Sequence, residues 1–122
     1  MTRLPTPGQL GLPRAAVIAV PADGLTVYRL VRSDPPTLRD FQLPSTELAA
    51  RLGWPELLRV GLSHFLRPEQ TERVRRSPVS RIAAVDLAEG VRIYVGRTGR
   101  TPGHVSVWAR SEALLAAARV VG

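Results

Sequence analysis

The clearest pattern along the chain is an alternation of apolar and polar side chains with a period of two, which is typical of half-buried strands. The alternating segments are residues 25–31, 91–95 and 104–109. Two further apolar runs, residues 61–66 and 80–87, are also predicted strands because turn residues bound them. The apolar run at residues 15–20 fits either a buried strand or a piece of helix, since periodicity does not separate the two in so short a segment.

The alternation also assigns side chains to the two faces of each strand. Val27 and Arg29 share one face of the strand at residues 25–31. In the strand that begins at His104, this residue and Ser106 lie on the face opposite Val105. Polar side chains on these faces are therefore the first candidates for a binding site.

Short helices are predicted between the strands from their start and stop signals. Ser45 or Thr46 is placed to cap a helix that ends near residue 52. Pro68 opens a helix to about residue 76, and we expect this helix to be exposed because it carries few apolar side chains. Ser111 is expected to cap a terminal helix through its hydroxyl.

Strands mixed irregularly with short helices indicate an α+β fold with a mixed, mainly antiparallel sheet. Residues 1–13 contain three prolines and two glycines and are expected to form a flexible lead-in. Residues 14–122 are expected to form one domain, since a chain of 122 residues has the length of a single domain.

The basic residues change the picture because all of them are arginines. The chain has 17 of them and a net charge of +7. Guanidinium groups form forked hydrogen bonds with phosphates and carboxylates, so this composition favours a phosphorylated or otherwise anionic partner. The absence of cysteine excludes disulfides, thiolate metal sites and cysteine nucleophiles.

Several classes of protein are disfavoured by what the sequence lacks. No apolar run approaches the roughly 20 residues needed to cross a bilayer. The first residues lack the apolar core of a signal peptide, so a cytoplasmic protein without a membrane segment is expected. The two histidines, His64 and His104, have no ligand spacing with the scattered carboxylates, and no metal site is expected.

The most turn-rich segment, residues 96–103, comes directly before a histidine. Its glycines let backbone amides approach an anion, and Arg97 and Arg100 add forked donors for a phosphate. His104 is a candidate general base or ligand contact. The alternative is a hairpin loop with solvated arginines that leads into a half-exposed strand histidine.

Two earlier strands also carry candidate polar residues. Ser63 and His64 are adjacent and point to opposite faces of a strand, which argues against a nucleophile–base pair between them. Ser63 remains a candidate hydrogen-bond donor to a ligand, and His64 is expected at the surface or the edge of the core. Tyr28 precedes Arg29, whose charge is costly on an apolar strand unless it is paired or used. The alternatives are an edge strand with Arg29 in solvent, or a salt bridge to Asp86.

These motifs follow one order along residues 25–121. They are Tyr28-Arg29, Pro35-Pro36-Thr37, Asp40-Phe41, Gly61-Leu62-Ser63-His64-Phe65, Thr98-Gly99, Pro102-Gly103-His104 and Trp108. The order resembles that of small uncharacterised bacterial proteins with the layout YR…PPT..DF…GxS.F…TG..PGH…W. It is also distantly similar to ADP-ribosyltransferase-type toxin domains, including the RES toxins.

The second resemblance implies a specific site. In those toxins an arginine on the first strand grips NAD, and a serine begins a strand that runs into a helix; Arg29 and Ser63 occupy these positions. A late-strand acidic residue, which orients the ribose in the toxins, has no counterpart here, because the late strands offer Tyr94 and His104. The acidic residues nearest to that position in the sequence are Asp86 and Glu89. The resemblance thus implies NAD binding by an enzyme or a degenerate enzyme.

The expected function is an NAD- or nucleotide-binding domain of the ADP-ribosyltransferase-like kind, with NAD as substrate and a role as a toxin. The expected site residues are His104, Arg29 and Ser63 as catalytic groups, and Tyr28, Arg97 and Arg100 as cofactor contacts. The alternative is a basic interaction module that binds nucleic acid or a partner protein in a bacterial conflict or mobile-element system. Its surface would be the arginine cluster at residues 73–76, which otherwise is a solvated helix face.

Overall fold

The described strands alternate in direction along one sheet, which makes the fold α+β with an antiparallel sheet. The computed structural model describes residues 4, 6, 8–11, 18–22, 24–42, 61–87, 93–98 and 101–122. Within them the sheet has seven strands in the order β1-β5-β6-β3-β2-β4-β7, and every neighbouring pair is antiparallel. The strands are β1 (Val20–Pro21), β2 (Thr26–Val31), β3 (Leu62–Phe65), β4 (Arg81–Asp86), β5 (Tyr94–Arg97), β6 (His104–Trp108) and β7 (Ala118–Val120).

Most strands lie where the alternation predicts them. The predictions at residues 25–31, 61–66, 80–87 and 104–109 are confirmed within one or two residues at each end. β5 begins later than predicted and continues through Gly96 and Arg97, so the turn that follows it is shorter than the sequence suggested. Residues 91 and 92, the predicted helix from Ser45 or Thr46, and most of the apolar run at residues 15–20 lie outside the described residues.

Two helices and two short 3-10 turns join the described strands. The helices are α1 (Pro68–Val74) and α2 (Ser111–Ala116), and the 3-10 turns are Gly8–Leu10 and Leu38–Phe41. The prediction that Ser111 caps α2 is wrong, because the cap position is Arg110. The Ser111 hydroxyl instead donates a hydrogen bond of 2.7 Å to the Phe41 carbonyl, which ties α2 to the 3-10 turn.

The core lies against one face of the sheet. Its strand residues are Val27, Val31, Leu62, Ala83, Val85, Val95, Val105 and Val107, all of them buried. Phe41 from the 3-10 turn and Leu114 from α2 belong to the same cluster, and so does Leu4 from the predicted lead-in. Burial of each large apolar side chain stabilises the fold by about 1.5–3 kcal/mol.

The opposite face of the sheet is covered in its middle by α1, which contacts β2, β3 and β4. The expectation that this helix is exposed is therefore wrong in part. Thr71 is fully buried, and its hydroxyl donates to the Arg67 carbonyl one turn earlier at 3.1 Å. The few apolar residues of α1 misled the prediction, because small polar side chains bonded to their own helix are also buried under a sheet.

The pairing between β2 and β3 is unusually short. β2 pairs with β4 over six residues, yet it pairs with β3 only where Tyr28 faces Phe65. Among the described residues no further register pair joins the two strands, and we call this break in the ladder beside Arg29 and Ser63 the gap. This gap determines where the candidate site lies.

The described part of the chain contains no helix that is both long and apolar enough to cross a membrane. The longest described helix, α1, has seven residues. A span needs about 20 residues.

We expect Gly96→Ala to destabilise the protein by about 1–3 kcal/mol, the cost typical of overpacking a core. A Cβ at Gly96 would collide with the backbone oxygen of Ile18 and lie 3.1 Å from the Trp108 ring. Gly8→Ala is the matched control, since a Cβ there has no atom within 4 Å. Chemical denaturation of both variants measures the difference. Equal losses would contradict the close approach of the Ile18 backbone to β5.

Candidate functional site

The structure brings Ser63 and His104 into direct contact. β3 and β6 pair in a register that sets Ser63 opposite Ser106 and Phe65 opposite His104. All four side chains therefore lie on the same face of the sheet, and Ser63 is the diagonal neighbour of His104. The Ser63 Oγ atom is 2.6 Å from the His104 Nε2 atom, a short hydrogen bond.

The Thr98 carbonyl determines which nitrogen of His104 carries the hydrogen. The His104 Nδ1 atom lies 2.9 Å from this carbonyl and 2.9 Å from the Thr98 hydroxyl. A carbonyl oxygen only accepts, so Nδ1 carries the hydrogen and donates it. In the neutral ring Nε2 then holds the free electron pair, and the Ser63 hydroxyl is the donor towards it.

The His104 ring is held in its neutral form. Burial lowers the pKa of His104 below its usual value, and the hydrogen bond to the Thr98 carbonyl acts in the opposite direction without reversing the shift. The Ser63 residue itself is exposed. A reactant in solvent therefore meets a serine hydroxyl whose hydrogen points at an unprotonated imidazole nitrogen.

Neighbouring groups fix the orientation of the ring. The Phe65 ring meets the His104 ring edge to face, with 5.3 Å between centroids and an angle of 83° between planes. The Thr98 hydroxyl also hydrogen-bonds the Ser106 hydroxyl at 3.0 Å. Just before His104, Gly103 has a positive φ of 75° and its carbonyl accepts from the Leu66 backbone, which anchors the turn to β3.

Arg29 occupies the gap between β2 and β3. Its Nη1 atom donates to the Ser63 carbonyl at 2.6 Å, and its Nε atom donates to the Asp40 carbonyl at 2.8 Å. Of the alternatives considered for Arg29, the salt bridge to Asp86 does not form. Asp86 instead accepts from the Thr26 hydroxyl at 2.7 Å and from Arg119.

The Arg29 guanidinium remains charged in this position. Burial lowers its pKa to about 10, and the nearby Asp40 carboxylate partly opposes that shift. A group with a pKa of about 10 is protonated at neutral pH. The site thus combines a fixed positive charge with a neutral histidine.

The Asp40 carboxylate organises the loop that follows β2. Its two oxygens accept from the backbone nitrogens of Arg32 and Thr37, at 2.8 Å and 2.9 Å. This loop and Arg29 enclose a cavity of about 400 Å³. The cavity is lined by Arg29, Leu30, Arg32, Ser33, Thr37, Arg39 and Asp40.

The sequence places Thr98 within a motif but indicates no role for it, and it singles out neither Arg32 nor Arg39. Thr98 contacts His104 through both its carbonyl and its hydroxyl, and the carbonyl contact carries no signal in the sequence. Arg32 and Arg39 were two of 17 arginines, and only the loop fold distinguishes them from the others. Asp40 was part of the family layout, and its position three residues after Thr37 was the available signal.

The structure places Tyr28 and Arg97, two of the expected cofactor contacts, on opposite faces of the sheet. Tyr28 lies opposite Phe65, on the same face of the sheet as His104. Arg97 pairs with Val105 and so lies on the other face, where its Nε atom donates to the Leu4 carbonyl at 3.4 Å. Arg100 lies outside the described residues.

His64 is fully buried, deeper than the surface or core-edge position expected for it. Its Nδ1 atom is 2.9 Å from the Leu62 carbonyl, and its Nε2 atom is buried without a hydrogen-bond partner. Burial, together with the repulsive charge of Arg29, lowers the pKa of His64 to about 3. As predicted from their adjacency, Ser63 is exposed and His64 faces the interior.

Among the residues that the structure describes, no group of three or more histidines, aspartates and glutamates is arranged to hold a metal ion.

Comparison with protein-family models, with curated proteins and with solved structures found no match to this chain. The functional argument therefore depends on the contacts within the site.

We expect the free energy of unfolding to fall as the pH is lowered from about 6.5, because of His64. The unfolded chain protonates this histidine near its usual pKa of 6.5, whereas the folded chain resists protonation until about pH 3. Acid thus favours the unfolded state, by at most about 1.4 kcal/mol per pH unit for this one group.

Urea denaturation between pH 6.5 and 4.5 measures this slope in the parent and in His64→Leu. We expect the slope to become flatter in the variant, since leucine does not titrate. His104→Gln is the control, because it removes the histidine whose pKa is lowered to a smaller degree. A slope that is unchanged in His64→Leu would show that the buried histidine does not resist protonation.

Proposed function

We propose that the protein binds a pyrophosphate-containing nucleotide of the NAD type, in the manner of an ADP-ribosyltransferase-like domain. The observation that carries the proposal is the position of Arg29. Its guanidinium lines the cavity at the end of β2 and also hydrogen-bonds the backbone of Ser63. One charged side chain therefore links the wall of this cavity to the backbone of the strand that carries Ser63.

The phosphate end of the ligand belongs in the cavity. Three arginines, Arg29, Arg32 and Arg39, line it against one acidic residue, Asp40, and its volume of about 400 Å³ lies in the range typical of small-molecule sites. Arginine binds phosphate through paired, charge-assisted hydrogen bonds, which are about twice as strong as neutral ones. The net charge of +7 also draws anions towards the protein.

Ser63 and His104 lie, with Tyr28, on the face of the sheet opposite Arg29, and they do not line the cavity, so only the phosphate end of the ligand has a place in this proposal. Within the described residues no carboxylate forms a hydrogen bond or ion pair with either of these two groups. The acidic residue of the toxin family, which stabilises an oxocarbenium-like ribose, therefore has no equivalent contact here. Binding of the nucleotide is the primary property proposed, and the enzyme is of a degenerate kind with respect to ADP-ribosyl transfer.

The second candidate is a basic module that binds nucleic acid. Arg67, Arg73 and Arg76 are exposed on α1 and its ends, which favours contact with phosphates along a backbone. A partner protein with an acidic surface would use the same face. Nucleic-acid binding and partner binding would use the arginines on and near α1, whereas nucleotide binding would use those that line the cavity.

Calorimetric titration of NAD, ADP-ribose and adenosine into the protein tests the proposal. NAD and ADP-ribose share a pyrophosphate, and we expect both to bind, whereas adenosine binds weakly or not at all. Arg39→Gln is expected to raise the dissociation constant for NAD by about 10-fold or more, the value of a charged hydrogen bond of about 1.5 kcal/mol.

Arg73→Gln is the matched control, because it removes the same charge from an exposed position outside the cavity lining. Equal effects of the two variants would contradict a specific phosphate site. If neither nucleotide binds while a short DNA duplex does, with an affinity that falls steeply as salt rises, the second candidate replaces the first.

A further inference from the structure

We propose that Ser63 is a nucleophile activated by His104, and that this pair transfers acyl groups from activated esters to water. The activity is separate from nucleotide binding and does not depend on it. The geometry supports it with three observations: an exposed serine, a hydrogen bond of 2.6 Å from this serine to the Nε2 atom of His104, and a fixed ring tautomer.

This hydrogen bond contributes little as a structural element. Ser63 is exposed, so water would satisfy its hydroxyl equally well, and the net gain of such a bond is about 0.5–1.5 kcal/mol. The register of β3 and β6 already fixes the strands without it. A short, aligned contact between an exposed hydroxyl and an imidazole nitrogen is, in contrast, what a general base requires.

A third group holds the His104 ring in place. Nucleophile–base pairs use a third group that holds the base in one tautomer, and here the Thr98 carbonyl fills that position at 2.9 Å from the Nδ1 atom. A carbonyl is neutral, so it stabilises the imidazolium less than a carboxylate would. The pair is therefore suited to substrates with good leaving groups, which is why we name activated esters.

The positive charge of Arg29 lies next to the backbone of Ser63. The Arg29 guanidinium donates to the carbonyl of Ser63 and remains protonated at neutral pH. A positive charge bound to the backbone of the nucleophile favours the negative charge that develops as the hydroxyl loses its proton.

The proposed reaction has two stages, acylation of Ser63 and hydrolysis of the acyl-serine. The Ser63 Oγ atom forms a bond to the acyl carbon while its proton passes to the Nε2 atom of His104. The bond from carbon to the leaving alkoxide or phenoxide breaks, and the proton passes from His104 to that oxygen. Water then attacks the acyl-serine with His104 again as base, which releases the acid and restores the serine.

Two measurements on the full chain test this inference: hydrolysis of p-nitrophenyl acetate, and labelling by a fluorophosphonate probe with peptide mapping. A fluorophosphonate forms a bond from Ser63 to phosphorus and releases fluoride, so it reports the same nucleophile. We expect label on Ser63, a labelling rate that rises with pH as His104 loses its proton, and loss of both signals in Ser63→Ala.

His104→Gln is expected to lower both rates by about 100-fold, the smaller end of what a general base contributes. Ser77→Ala is the matched control, since the Ser77 hydroxyl only accepts from the Val79 backbone in a turn. Circular dichroism confirms that each variant is folded. If His104→Gln does not fold, the pH profile of the parent decides instead, and a rate independent of pH overturns the inference.

Labelling of Ser63 at the same rate in urea-denatured protein would also overturn the inference, and so would hydrolysis that persists in Ser63→Ala. The nucleotide titrations are run on the same parent protein. Binding of NAD without labelling would reject the nucleophile and leave the proposed function standing, and labelling without NAD binding would do the reverse.

Discussion

The contacts around the site converge on one partly buried arginine. Arg29 lies in the middle of β2, where a polar residue without partners would cost several kcal/mol. Its two hydrogen bonds, to the carbonyls of Ser63 and Asp40, satisfy donors and acceptors that come from three separate segments. Because β2 and β3 pair at a single position, the guanidinium takes over the role of the missing ladder between them. Strand β3 and the loop after β2 are thus hydrogen-bonded to the same guanidinium.

The same arrangement explains why two distinct chemical environments adjoin each other. On one side of Arg29 the loop organised by Asp40 exposes further guanidiniums to a cavity. On the other side Ser63 meets His104 on the α1-covered face of the sheet. The Arg29 side chain and the Ser63 side chain lie on opposite faces of the sheet, so they do not meet directly. The backbone carbonyl of Ser63 is the link, because it lies in the gap that the arginine fills.

The sequence predicted the fold better than the site, and the reason is physical. Alternation depends on local geometry, so the strands and the opposite orientation of Ser63 and His64 followed from it correctly. The contact between Ser63 and His104 depends on the register of β3 against β6, which involves residues 41 positions apart and no local pattern. The partners of Arg29 were left open for a similar reason, with a salt bridge to Asp86 as one alternative. The fold provides two backbone carbonyls, which are present everywhere and carry no sequence signal.

Arg29 donates its hydrogen bonds to two carbonyls, and this affects how its charge acts on an anion. Arg119 pairs with Asp86, and their charges largely cancel. Arg29 forms no such ion pair among the described residues, and His64 beside it is neutral above about pH 3. At neutral pH Arg29 therefore carries a positive charge that two carbonyl dipoles solvate and that the nearby Asp40 carboxylate offsets in part. An anion entering the cavity would meet that charge at a distance set by a rigid sheet, with little reorganisation. A phosphate therefore gains from Arg29 only what the Asp40 carboxylate, which lines the same cavity, leaves uncompensated.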